Sequence, residues 1–268
     1  MKDVKLFFLV MLAQVLGFSV LAEDWPQWLG TKRDGVWRES GVLKEFPKGG
    51  PKVNWRVPIG GGYAGPAVSG GRVFIMDRQL PKGKVNPENQ FDRGMIPGSE
   101  RVICLDEKTG RELWIYEYDC GYTVSYPAGP RTTATVDDDR VYTLGAEGNL
   151  LCINAESGKL LWQKEFKKEY GVKSPVWGFT GHPLVRGGHL ICLARGNGST
   201  AVCFDKLTGK EIWRSLTARE PGYCPPTLIQ AGGVEQLIIW HPESINSLNP
   251  DTGEIYWTQP FRLRFGLS

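Results

Sequence analysis

The chain has 268 residues, 41% of them hydrophobic and 23% charged, with a formal net charge of +3. That length holds one large domain or two modest ones, and the composition is ordinary for a soluble globular protein. A charge so near neutrality leaves no electrostatic footprint for nucleic acid, whereas 34 glycines and ten tryptophans call for a structural reason.

At the N-terminus, Lys2 and Lys5 precede the apolar run LFFLVMLAQVLGFSVLA, Leu6 to Ala22, and the small residues Val20 and Ala22 stand before a polar EDW. This is the pattern of a secretory signal peptide over residues 1–22. The 17-residue run falls slightly short of the roughly 20 needed to span a bilayer. No cysteine follows it to carry a lipid, and no second segment is long and apolar enough to cross a membrane. The expectation is an exported protein, periplasmic or extracellular, with no span in the mature chain. Residues 23–51 would form a lead-in and 52–268 the folded repeats.

KVNWRVPI, Lys52 to Ile59, reads as a single outermost strand without three strands of its own before it. After it the chain repeats. Short alternating or β-branched runs follow one another, separated by Gly- or Asp-rich hairpin breaks. The second repeat is the clearest: RTTATV, DDD, RVYTLG, AEG, NLLCIN, AESG, KLLWQKEF. Its DDD turn, Asp137 to Asp139, is equivalent to SGG at Ser69 to Gly71 and RGG at Arg186 to Gly188. The three aspartates therefore read as a plain hairpin and not as a calcium site. The first repeat alone carries a long polar insertion, Gln79 to Glu100, between its second and third strands.

Each repeat closes on one element. It appears as DEKTGRELW from Asp106 to Trp114, NAESGKLLW from Asn154 to Trp162, DKLTGKEIW from Asp205 to Trp213 and NPDTGEIYW from Asn249 to Trp257. The glycines Gly110, Gly158, Gly209 and Gly253 are 48, 51 and 44 residues apart, a period that suits a four-stranded propeller blade. In this element the Asp or Asn side chain bonds backbone donors of the turn. The glycine supplies the left-handed conformation, and the tryptophan fills the gap against the neighbouring sheet. The element is a structural docking device between blades, and the fold class is an all-β propeller of four-stranded antiparallel blades, about four of them present.

The pattern D/N-x-x-T/S-G-x-x-x-W resembles the tryptophan-docking motif of PQQ-type, quinoprotein-like β-propeller repeats. That superfamily includes PQQ-dependent alcohol dehydrogenases and BamB-like outer-membrane assembly lipoproteins. The resemblance covers roughly Gly50 to Pro260. It implies a ring of about eight blades, of which this chain would form half, with open sheet edges that call for further C-terminal blades or for association. It is not the WD-repeat pattern, in which the tryptophan stands beside an aspartate.

Cys104, Cys152 and Cys203 occupy equivalent places two residues before the turn residue, one per blade. Packed sheets lie about 10 Å apart, too far for a disulfide, so these three are expected as small core residues. Cys120, Cys192 and Cys224 carry no framework spacing, and their pairing stays open.

Strand parity places the insertion and the connectors DCGYTVSYPAGPR, KKEYGVKSPVWGFTGHP and TAREPGYCPP on one loop face. Tyr122, Tyr126, Arg131, Trp177, Phe179, His182 and Tyr223 are the candidate ligand residues there. A cofactor reading would stack a planar quinone on an aromatic ring and pair its carboxylates with Arg131. The competing reading has these side chains pack the mouth of the funnel. His182 before Pro183 reads as a structural histidine, His189 begins a strand and His241 lies in the turn HPES, so the three offer no metal-ligand spacing. The resembled dehydrogenases carry an adjacent Cys-Cys pair against PQQ and a Ca²⁺ ligand set, and no local motif here matches either. The sequence thus favours a non-catalytic binding or scaffold module of the cell envelope with a protein partner, over a fragment of a PQQ- and Ca²⁺-dependent alcohol dehydrogenase.

Overall fold

A computed structural model describes residues 23–261, so the leader reading of residues 1–22 lies outside the described residues. Among the described residues, sixteen strands form four antiparallel sheets, each made of four strands consecutive in the chain. Blade 1 holds β1 (Ala67–Ser69), β2 (Arg72–Gln79), β3 (Ser99–Asp106) and β4 (Glu112–Asp119). Blade 2 holds β5 (Thr135–Asp137), β6 (Arg140–Leu144), β7 (Asn149–Asn154) and β8 (Leu160–Glu165), followed by the single helical turn α1 (Phe166–Glu169). Blade 3 holds β9 (Leu184–Arg186), β10 (His189–Leu193), β11 (Ala201–Asp205) and β12 (Glu211–Ser215). Blade 4 holds β13 (Thr227–Ala231), β14 (Val234–His241), β15 (Ser244–Leu248) and β16 (Ile255–Pro260).

The innermost strands β1, β5 and β9 touch in succession, so the sheets stand side by side around a common axis. Between blades, the two middle strands of each sheet bury their branched and aromatic residues. One cluster joins Tyr142, Leu150 and Cys152 of blade 2 to Leu190, Val202 and Phe204 of blade 3. Another joins Ile191, Cys203 and Trp213 of blade 3 to Leu237, Ile239 and Leu248 of blade 4. At roughly 25 cal/mol per Å² of apolar surface removed from water, such faces are the main cohesive term. Polar ties sit at the rims: Lys206 pairs with Asp137 across blades 2 and 3, and Arg186 with Asp251 across blades 3 and 4.

The repeated turn is capped by its Asp or Asn side chain in all four blades, in the same way in blades 1 to 3. Asp106 Oδ1 accepts from Thr109 N–H at 2.8 Å and from Thr109 Oγ1 at 2.6 Å; Asn154 and Asp205 do the same with Ser157 and Thr208. Asn249 Oδ1 accepts from the amides of Asp251 and Thr252. A bulge opposite the cysteine of each of blades 1 to 3 sets the register, pairing Cys104 with Trp114, Cys152 with Trp162 and Cys203 with Trp213.

Each indole then lies over the turn of the next blade. Trp114 N–H donates to Ala155 O at 3.0 Å, Trp162 N–H to Lys206 O at 3.1 Å and Trp213 N–H to Pro250 O at 3.3 Å. Gly158, Gly209 and Gly253 have φ of 70°, 71° and 72° and lie against these rings. Trp55 does the same to blade 1, donating to Glu107 O at 2.8 Å and packing on Gly110. The segment around Trp55 pairs into no sheet among the described residues, and it meets blade 1 through side chains, Trp55 and Val57 packing on Ile75, Ile103 and Leu105. Trp257 differs: it is 42% exposed, and its N–H turns back to Gln236 of its own blade.

A Cβ at Gly158 would stand 2.7 Å from the Trp114 ring at a φ of +70°. Gly158→Ala is therefore expected to lose about 2–5 kcal/mol, from left-handed strain and overpacking together, read as a shift in urea midpoint at unchanged m-value.

Sequence spacing places the strand ends less well than the blades. Gln79, Ser99 and Glu100, read as insertion, continue β2 and β3, so the loop is 80–98. In RTTATV only Thr135 and Val136 are strand. Thr132 Oγ1 instead donates to Leu144 O and Thr133 N–H to His182, which spends that run on neighbouring elements. All six cysteines are free thiols, so Cys120, Cys192 and Cys224 form no pair.

Candidate functional site

Loop 80–98 and the blade connectors meet on one face. Arg93 fastens them, donating from Nε to Thr123 O at 2.8 Å and from Nη2 to Ser174 O at 3.0 Å. Ile96 pairs with Tyr122, and Tyr126 N–H reaches Gln90 O at 2.7 Å while its ring meets Phe91 edge-on.

Beneath that lid lies a buried polar cluster. Tyr122 is fully buried, and its hydroxyl donates to Glu100, as does that of Tyr118; Ala146 N–H donates to the same carboxylate at 3.0 Å. Burial pushes the Glu100 carboxyl up against the opposing effect of these donors. Arg78 lies over the Tyr122 ring at 3.9 Å from the centroid and donates to the carbonyls of Pro127, Ile96 and Pro97. Arg131 stands 5.8 Å from the same ring and gives its guanidinium to the carbonyls of Gly129, Ser125 and Tyr126. Burial lowers the pKa of both arginines. A second buried carboxylate, Glu147, is held by Lys167, Ser174 and Thr123. Burial alone would raise it, but these donors leave it below the usual value.

Nearer the axis, a cavity of about 550 Å³ is lined by Trp28, Tyr63, Arg131, Thr133 and His182 among others, with no acidic side chain in its wall. His182 Nδ1 accepts from Thr133 N–H at 2.9 Å, so the neutral ring carries its proton on Nε2. Its pKa falls to about 4, chiefly through burial and then through Arg33. The Trp28 indole lies flat on the imidazole, 5.0 Å between centroids and 11° between planes.

Of the sequence candidates, the structure brings Arg131 and His182 to this cavity, while Tyr122 sits behind Arg131 and beyond its wall. Trp177, between blades 2 and 3, and Tyr223, between blades 3 and 4, meet at 5.1 Å between centroids with planes tilted by 39°, and Phe179 is buried against Phe166. His241 ends β14, buried and bonded to Ser244, instead of lying in the turn. His189 opens β10, so the three histidines stay apart. Among the described residues no group of three or more His, Cys, Asp or Glu is placed to hold a metal ion. Sequence reading missed Arg78, Glu100, Trp28 and Arg33. The first two are charged residues continuing an apolar strand alternation, a legible signal; the other two lie in a segment without periodicity.

Radially set four-stranded sheets, joined by an indole on a Thr/Ser-Gly turn, define a β-propeller protein of the PQQ-repeat class. The family model described as "Outer membrane protein assembly factor BamB" matches residues 98–266, and the chain belongs to that family. It is 29% identical to the quinohemoprotein alcohol dehydrogenase ADH IIB of Pseudomonas putida over 70% of this chain and 26% of that protein. It is 26% identical to the dehydrogenase subunit of the quinone alcohol dehydrogenase of Gluconobacter oxydans over 60% of this chain and 26% of that one. Among solved structures, the quinohemoprotein alcohol dehydrogenase of Comamonas testosteroni superposes with a TM-score of 0.60 at 17% identity, covering 88% of this chain and 41% of that one. The chain thus spans about a quarter of the length of these dehydrogenase relatives. No helix of the described residues is long and apolar enough to cross a membrane.

Proposed function

We propose that this chain is an exported, non-catalytic binding module that presents its loop face to a protein partner in the cell envelope, in the manner the family description names for outer-membrane assembly. One observation carries this reading: the side chains that would serve a cofactor are spent on the fold. Arg131 donates to three backbone carbonyls, the Tyr122 hydroxyl to Glu100, and His182 is fixed between Thr133 and Trp28. What remains accessible is loop 80–98, where Val85, Phe91 and Met95 are exposed beside polar neighbours, the mixture seen at recognition surfaces.

The alternative, part of a PQQ-dependent alcohol dehydrogenase, is supported by the similarity to quinohemoprotein enzymes. The described residues do not by themselves fit that cofactor. The indole face at the cavity is covered by His182, and the acid-free wall offers Ca²⁺ no ligand.

Two measurements divide the readings. Shortening loop 80–98 is expected to abolish capture of an envelope protein while the thermal transition of the propeller persists. Adding PQQ and Ca²⁺ is expected to give neither quinone absorbance bound to protein nor dye-linked alcohol oxidation; clear reconstitution would overturn the scaffold reading.

A further inference from the structure

Residues 24–35, featureless in the sequence, run along the axis where the inner strands converge. Trp25 exchanges both backbone hydrogen bonds with Val68 of β1, 2.9 Å each, and Pro26 O accepts from Val136 N–H of β5 at 2.8 Å. The Asp24 carboxylate takes Ser69 Oγ at 2.9 Å and Gly70 N–H at 3.0 Å, capping the first hairpin of blade 1. At the other end, Arg33 donates to Pro183 O at 3.0 Å and His182 O at 3.4 Å in blade 3, and to Pro226 O at 3.3 Å in blade 4. One short stretch meets all four blades.

These are the contacts of a bound peptide, not of a packed core element. Main-chain pairing to an exposed inner strand supplies sequence-independent affinity, and side-chain pockets supply selectivity. The segment forms no helix and no strand of its own beyond the Trp25 bridge. Leu29 and Arg33 sit at φ of 60° and 54°, a left-handed conformation that non-glycine residues keep only where surroundings impose it. The Arg33 pocket is built from blade carbonyls and Gln27, with the guanidinium 5.6 Å from the Trp28 ring. Burial brings that guanidinium down to about 10, still well above neutrality, so it is charged at pH 7 as it meets the blade carbonyls.

We infer that the axial groove of β1, β5 and β9 and the start of β13 is a peptide-binding site. Its ligand class is an extended Asp-Trp-Pro segment followed after a turn by a second tryptophan-stacked arginine, and residues 24–35 fill it in cis. Asp24 reads the blade 1 hairpin, Trp25 and Pro26 pair with the edges of β1 and β5, and Arg33 reads the strand starts of blades 3 and 4. The inference is independent of whether the loop face binds a partner: the peptide assay below can fail while the envelope experiment succeeds, and the reverse.

The test is rescue in trans. In the full chain, Trp28→Ala combined with Arg33→Ala is expected to lower the melting temperature by about 5 °C or more. A synthetic peptide of residues 23–37 should restore it with a saturable concentration dependence, as expected for a ligand that binds only the folded state. The same peptide with Arg33→Ala should not. An unchanged melting temperature in the double variant, or a loss that the wild-type peptide does not restore, overturns the proposal. Should the double variant not fold, amide exchange in the unaltered chain decides: the Val68 and Val136 N–H groups, bonded to Trp25 and Pro26, should be protected, and exchange at the rate of an open edge strand overturns the proposal equally.

Discussion

Trp213→Ala is expected to destabilise the propeller by about 3–5 kcal/mol, the range for deleting a large buried aromatic side chain, whereas Trp257→Ala should cost about 1 kcal/mol or less. The two tryptophans occupy the same place in successive repeats, so local sequence gives no ground for a difference. Tertiary contact does. Trp213 is 8% exposed, packs among Cys203, Ile239 and Leu248, gives its N–H to Pro250 of the next blade and presses on Gly253. Trp257 is 42% exposed and meets no turn among the described residues. Urea unfolding of the two variants, followed by circular dichroism, measures both numbers. Equal losses would contradict the docking account, because they would mean that an indole stabilises through its own strand and not through the neighbouring blade. A large loss at Trp257 in a longer natural protein, with a small one in this chain, would show a further blade seated on β16.

Acid should destabilise the axis through His182. Its folded pKa of about 4 lies below the ordinary 6.5, so between those values the unfolded chain binds a proton that the folded chain refuses. The contribution is complete above pH 6.5 and is lost as pH falls toward 4. At 1.36 kcal/mol per pKa unit it amounts to about 3 kcal/mol. His182→Asn, which keeps an acceptor for Thr133 N–H without a titrating ring, is expected to flatten that stretch of the stability curve. Glu100 acts with the opposite sign. Its raised pKa means that stability attached to the protonated carboxyl is present at low pH and fades as pH rises through the folded value. The wild-type curve is the sum, and the difference between wild type and His182→Asn isolates the histidine. A difference curve that is level from pH 7 to 4 would show that the imidazole is solvated and the Trp28 stack open.

The cofactor candidates fared unevenly for a physical reason. Tyr122, Trp177 and Tyr223 lie in loop-face connectors, where aromatic residues commonly serve ligands. Whether a ring faces a cavity or a neighbour depends on which connector lies over it, and that is a contact between residues far apart in the chain. Arg93 pins Thr123 to Ser174, and Arg78 stacks on Tyr122. Neither pairing leaves a periodic trace. Arg131 and His182 did reach the axial cavity, because both sit just before an innermost strand, a place that repeat position does specify.

Four recurrences of a capped Thr/Ser-Gly turn and a tryptophan determined, by themselves, that the chain is all-β, that its blades have four strands, and where each hairpin falls. Turn chemistry is local: an Asx side chain, a hydroxyl and a residue free to adopt positive φ act within five positions, so the one-dimensional text contains the whole cause. Only the assembled sheets decided which indole finds a turn, that Glu100 belongs to a buried strand and not to the insertion, and that residues 24–35 thread the axis. Those outcomes depend on surfaces brought together by closing long loops, and a segment whose hydrogen bonds, backbone to blades 1 and 2 and through the Arg33 guanidinium to blades 3 and 4, are all made to distant residues carries no pattern of its own to announce them.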